Sequence, residues 1–182
     1  MKQLFLFITM LLFSNVTYSQ IYIANNCNIS FFSSSPLEDI EAVNKIAKPI
    51  INTSTGDVQI KILMNGFIFD KPLMQEHFNE NYVESEKYPN CVFKGKINEP
   101  IDWVKDGEYK VTVTGILSLH GVDKERKLDG TITVKGTEIS IATKFNIHIA
   151  DHNIKVPSLY VKNIAEDVEV KLNATLEPYK KK

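Results

Sequence analysis

Residues 108–119 read Glu-Tyr-Lys-Val-Thr-Val-Thr-Gly-Ile-Leu-Ser-Leu, and residues 128–135 read Leu-Asp-Gly-Thr-Ile-Thr-Val-Lys. In the first run Tyr109, Val111, Val113, Gly115, Leu117 and Leu119 share one parity, against Lys110, Thr112, Thr114 and Ser118 on the other. In the second, Leu128, Gly130, Ile132 and Val134 oppose Asp129, Thr131, Thr133 and Lys135. Successive side chains of a strand point to opposite faces, so each run is a strand with one apolar and one wet face. His120-Gly121-Val122-Asp123-Lys124 between them reads as a turn, which makes the pair an antiparallel hairpin. At roughly 3.3 Å per residue the first strand spans about 40 Å. That is long for a simple sandwich.

The same period extends in both directions. Gly136 opens a second hairpin into Ile139, Ile141, Thr143, Phe145 and Ile147. A last strand places Val168, Val170, Leu172, Ala174 and Leu176 on one face. Upstream, Cys27, Ile29 and Phe31 alternate with Asn28, Ser30 and Phe32, and Val58, Ile60, Ile62 and Met64 alternate with Gln59, Lys61 and Leu63. Residues 48–52 read as a strand, followed by the turn chemistry of Thr53-Ser54-Thr55-Gly56. Gly66 breaks the parity before Phe67 and Phe69, as a bulge would. The segment 37–42 fits a strand or a short helix. This makes about eight strands with short connections, the pattern of an antiparallel barrel or sandwich. The fold class is all-β, and the expected architecture is an extended eight-stranded antiparallel barrel with a short helical cover.

One stretch departs from period two. In residues 73–82, Leu73, Met74, His77, Phe78 and Tyr82 recur at three- and four-residue steps, the spacing of an amphipathic helix face. Pro72 suits its first turn, and Pro89 stops any continuation before a strand through Cys91, Phe93, Gly95 and Ile97. A lone short helix in an all-β chain covers a sheet edge or a barrel mouth. Gly95, Gly115 and Gly130 fall on inward parities, where they either leave room for a ligand or mark bends in a solid core. An eight-stranded barrel sits at that balance, and the glycines favour the hollow form.

Residues 1–19 combine a basic start, the apolar run 4–13 and the small-residue exit Thr17-Tyr18-Ser19, the composition of a cleaved secretory signal peptide. The run is too short for a spanning helix, which needs about 20 apolar residues. The expected mature domain is 20–182, exported and without a transmembrane segment. The formal net charge is −1 at pH 7, with both signs dispersed. Such a surface offers no basic face for a phosphate backbone, so nucleic acid is excluded as the partner.

Catalysis finds no support in the sequence. There is no Gly-x-Ser-x-Gly, no phosphate-cradling glycine loop and no Cys-x-x-Cys. His77 with Glu80 and Glu84 would share a helix face, but a surface histidine beside ordinary acidic neighbours is the simpler reading. His148, Asp151 and His152 lack a third strong ligand for a transition metal. His120 is read as a turn residue with a structural hydrogen bond. No catalytic residue, metal ligand or cofactor is therefore assigned. Cys27 and Cys91 fall on inward parities, so they either meet as a disulfide or act as two small buried hydrophobes.

Residues 73–85, then Tyr88-Pro89 with Phe93, Gly95 and Ile97, resemble the YceI-like family. The resemblance continues through Tyr109-Lys110-Val111 and residues 115–122, where Leu119-His120-Gly121-Val122 is the most specific element after Pro89-x-x-x-Phe93. Segment 37–42 is similar to a branch common in Bacteroidetes-type sequences, and Cys91 stands where relatives carry a small residue such as alanine. The resemblance implies an extended lipocalin-like barrel in an exported bacterial protein, periplasmic rather than secreted. It also implies that the barrel holds a long isoprenoid chain, such as a quinone tail or polyprenol, or a fatty amide. On this reading the cargo wall combines Leu73, Met74 and Phe78 of the helix with Phe31, Ile60, Ile62 and Phe93. Val113, Leu117, Ile132 and Phe145 complete it. The competing expectation is a non-catalytic interaction module with a solid core and an acidic helix that recognises a partner. A homodimer is compatible with either.

Overall fold

The computed structural model of the chain describes residues 21–34, 39–155 and 165–180. The expected signal peptide, residues 1–19, and residues 37 and 38 of the ambiguous segment lie outside them. Among the described residues there are ten strands: β1 (Ile21–Ser33), β2 (Ile40–Asn44), β3 (Ile50–Asn52), β4 (Asp57–Leu63), β5 (Ile68–Phe69), β6 (Asn90–Ile97), β7 (Gly107–Leu119), β8 (Val122–Lys135), β9 (Glu138–His148) and β10 (Asp167–Pro178). They form one antiparallel sheet in the order β10-β9-β8-β7-β6-β4-β3-β1, which closes through a β10–β1 ladder into an eight-stranded barrel. The two short strands β2 and β5 extend from the far end of β1. This is the expected all-β, lipocalin-like architecture.

The alternation sets the register. Leu117 of β7 stands opposite Phe93 of β6 and Lys124 of β8, and Val170 of β10 stands opposite Phe145 of β9 and Phe31 of β1. A one-residue slip in any of these ladders would turn a whole apolar row to water. The β7–β8 connection is shorter than the sequence suggests. Leu119 pairs with Val122, which leaves only His120 and Gly121 in the turn, at φ 52° and 73°. Two positive φ values are the signature of the hairpin turn whose twist matches the flanking strands. Val122, Asp123 and Lys124 therefore belong to β8.

Packing corrects one further expectation and decides two that the sequence left open. Gly66 sits in a 3₁₀ turn, Met64–Gly66, that ends β4 outright rather than bulging it. A Cβ at that glycine would come within 2.7 Å of Ile46 Cδ1 and 2.8 Å of Asn44 Nδ2. The ambiguous segment resolves, where described, as strand β2. Finally, Gly95 and Gly115 face each other across β6 and β7, where a Cβ on Gly115 would collide with the Lys94 carbonyl oxygen and Gly95 Cα. These two glycines permit close backbone approach and curvature, not ligand volume.

The barrel interior has two halves. At the end bounded by the β8–β9 hairpin, Tyr22, Val134, Ile139 and Leu176 are at most 7% exposed and fill the space. At the other end the inward side chains stop short of each other. The two expectations, solid and hollow, each hold for one half.

Candidate functional site

The hollow half is closed by the one α-helix among the described residues. α1 (Pro72–His77) begins with Pro72 in its first turn and passes directly into a wider π-type turn, Phe78–Tyr82, marked by the Val83 N–H donating to the Phe78 carbonyl at 3.0 Å. Together they cover the helical span read from the sequence. Met74, His77, Phe78 and Tyr82 face the barrel, while Leu73 is 60% exposed on the outer surface. The expectation that Leu73 lines the wall is thus overturned. Leu73 adjoins Met74 on the helix, and one residue step turns its side chain by about 100°, away from the barrel. His77, expected on the surface, stands at the cavity rim and is half-buried.

Beneath the cap lies a cavity of about 470 Å³ lined almost entirely by apolar side chains. This is within the usual range of ligand pockets, about 300–1,000 Å³. Of the wall residues named from the sequence, Phe31, Ile60, Ile62, Met74, Phe78, Phe93, Val113, Leu117, Ile132 and Phe145 all line it. Sequence reasoning missed Phe67 and Phe69, because the turn at Gly66 hides their parity, and Ile149 and Ile154, which lie outside any strand pattern. Val168, Val170 and Leu172 also line the space. Their alternation placed them inward without marking them as wall. Under the cap, Phe31 stacks on Phe78 at 5.4 Å between ring centroids, with Phe67 and Phe69 edge-on or tilted at 5.1–5.7 Å. Such offset and edge contacts add about 0.5–1.5 kcal/mol per pair beyond burial, so the aromatic cluster anchors the cap to the rim.

Polar groups around the cavity hold the frame. Asn44 is fully buried between β2 and β4. Its Nδ2 donates to the Leu63 carbonyl at 2.9 Å, and its Oδ1 accepts from the Ile46 and Ala47 amides. It thereby pins the strand ends where β3 no longer pairs with β4. His120, in the β7–β8 turn, is bonded through Nε2 to Glu84 Oε2 at 2.8 Å and through Nδ1 to the His152 carbonyl at 3.0 Å. The turn histidine thus ties the segment after the cap to the 3₁₀ turn Ile149–His152 on the opposite side of the mouth.

The other polar groups suggested by the sequence separate. His148 pairs with Asp167 at 3.2 Å, Asp151 with Arg126 at 3.6 Å, and His152 is fully buried with Nδ1 donating to the Val122 carbonyl at 3.3 Å. Among the described residues no three His, Cys, Asp or Glu side chains converge as a metal site. Cys27 and Cys91 are both free and buried, on β1 and β6, three strands apart around the barrel. Burial pushes their thiols up to about 11 and about 12 respectively, so both are neutral, apolar groups at physiological pH. Cys91 lines the cavity.

Residues 29–176 match the family model described as a YceI-like domain. Among solved structures, a polyisoprenoid binding domain from Saccharophagus degradans, implicated in plant cell wall breakdown, superposes with a TM-score of 0.75 at 16% identity. That match covers 90% of this chain and 100% of the other. BcnA of Burkholderia cenocepacia gives 0.69 at 16% identity, over 82% and 95% of the two chains. The YCEI protein of Campylobacter jejuni gives 0.55 at 18% identity, over 74% and 81%. At such identities the likeness establishes the fold. No curated protein sequence matches the chain.

Proposed function

The chain belongs to the YceI-like family, and we propose that it is a non-catalytic carrier that holds one long apolar chain, isoprenoid or fatty, inside the barrel. The observation that carries this reading is the capped cavity of about 470 Å³ with an almost wholly apolar lining. Burial of such a chain is favourable by about 0.8 kcal/mol per CH₂, with few polar contacts required. The Saccharophagus degradans neighbour is a polyisoprenoid binding domain, which supports an isoprenoid as the first cargo to test. The leader-like composition of residues 1–19 supports export, and with it a periplasmic role in transport or storage of the lipid.

Native mass spectrometry of protein purified without detergent, with organic extraction of what is released, tests the proposal. One isoprenoid or fatty chain per protein is expected. A protein that arrives empty and also fails to take up added polyprenol or quinone would overturn it.

A further inference from the structure

The sequence contains twenty lysines and one arginine, Arg126. Arg126 lies on β8 directly opposite Gly115, which is itself opposite Gly95, so the row across β6, β7 and β8 is bare of side chains except for the guanidinium. Arg126 stands two residues before Leu128, the nearest residue of β8 that lines the cavity, and is itself just beyond the lining. The barrel wall is also open at this level. The β8–β9 ladder runs only from Gly130 opposite Thr143 to Lys135 opposite Glu138. Residues 122–129 of β8 pair with β7 alone, and residues 144–148 of β9 pair with β10 alone. The 3₁₀ turn Ile149–His152 packs against both strands at this opening.

Within this opening the guanidinium is poorly satisfied. Nε and Nη2 of Arg126 are both buried and, among the described residues, neither has a hydrogen-bond partner. The Asp151 carboxylate stands 3.6 Å from Nη2, too far for a hydrogen bond, and its side chain is 44% exposed. A buried polar group without a partner is destabilising, and more so when it is charged. The Nε–H and one Nη2–H lie parallel on one edge of the guanidinium plane, the arrangement that takes two oxygens of one oxyanion. A lysine would supply the charge but not the fork.

We propose that the Nε/Nη2 edge of Arg126 binds the oxyanion head, carboxylate or phosphate, of a lipid whose tail fills the cavity, with Asp151 turned out to water. Cargo then enters with its chain under the cap and its head at the β8–β9 opening. This rests on the carrier reading above and adds a headgroup class to it.

The test compares geranylgeranyl phosphate with geranylgeraniol, and stearate with stearyl alcohol, by titration of the full chain, alongside inorganic phosphate alone. Each anionic lipid is expected to bind at least tenfold more tightly than its alcohol. In Arg126→Met that ratio is expected to fall to within twofold, and Arg126→Lys to fall between. Equal affinity for acid and alcohol in the wild type, or a ratio unchanged in Arg126→Met, overturns the headgroup site. Arg126-dependent binding of inorganic phosphate without any lipid preference also overturns it, assigning the site to a free anion. If Arg126→Met fails to fold by circular dichroism, the wild-type ratio and Arg126→Lys decide the matter. If none of the lipids binds, charged or neutral, it is the carrier reading that fails.

Discussion

At the scale of single residues, the same residue type does opposite work at different places in the barrel. Gly115 is required by backbone contact: a Cβ there would strike Lys94 and Gly95. Gly115→Ala is expected to lose about 1–3 kcal/mol, the usual cost of overpacking, seen as a lowered urea midpoint. Gly136, where a Cβ would meet nothing within 4 Å, has no such steric neighbour. The cavity wall behaves in the reverse sense, since space is available there. Val113→Phe adds volume to the hollow half. It is expected to reduce lipid uptake severalfold while the urea midpoint stays close to wild type; undiminished uptake would remove Val113 from the wall. Alternation picked out Val113 among the lining residues on strands, and helical spacing added Met74 and Phe78. Spacing could not tell Leu73 from Met74, because helix rotation relative to the barrel is set by the phenylalanine cluster.

At the scale of elements, the mouth is held by a chain of contacts that no local pattern encodes. His120 links Glu84, just after the cap, to the Ile149–His152 turn, and the Tyr88 ring packs on it at 4.4 Å. His120→Ala removes both bonds at once. It is expected to speed release of bound lipid severalfold in a stopped-flow transfer assay to vesicles, with far-UV circular dichroism unchanged. An unchanged release rate would show that the cap is held by its aromatic packing alone. The helix was readable in the sequence from Pro72 and the apolar steps. Its π-type ending was not, because that widening depends on seating Phe78 and Tyr82 against the barrel.

For the whole molecule, the buried His152 links stability to pH. Burial lowers its pKa below 6.5, aided by the Arg126 charge and opposed by Asp151 and by carbonyl contacts to Val122 and Leu119. The folded state therefore keeps the ring neutral where the unfolded chain already binds a proton. Its contribution is complete above pH 6.5 and is lost as pH falls below that value, at up to about 1.4 kcal/mol per pH unit. Urea midpoints are expected to drop between pH 7.5 and 5.5, with a shallower drop in His152→Gln. Equal slopes would assign the effect to carboxylates instead. Strand order by itself made the barrel readable: period-two runs joined by short turns leave few other ways to bury one apolar face per strand. That argument fixes which side chains point inward, since parity is a local property of the chain. Whether they meet is a different matter. It depends on ring closure, on the backbone approach at Gly95 and Gly115, and on the end of the β8–β9 ladder at Gly130. Those are set by contacts between residues distant in sequence, so only the tertiary structure decided that one half of the barrel is solid and the other hollow.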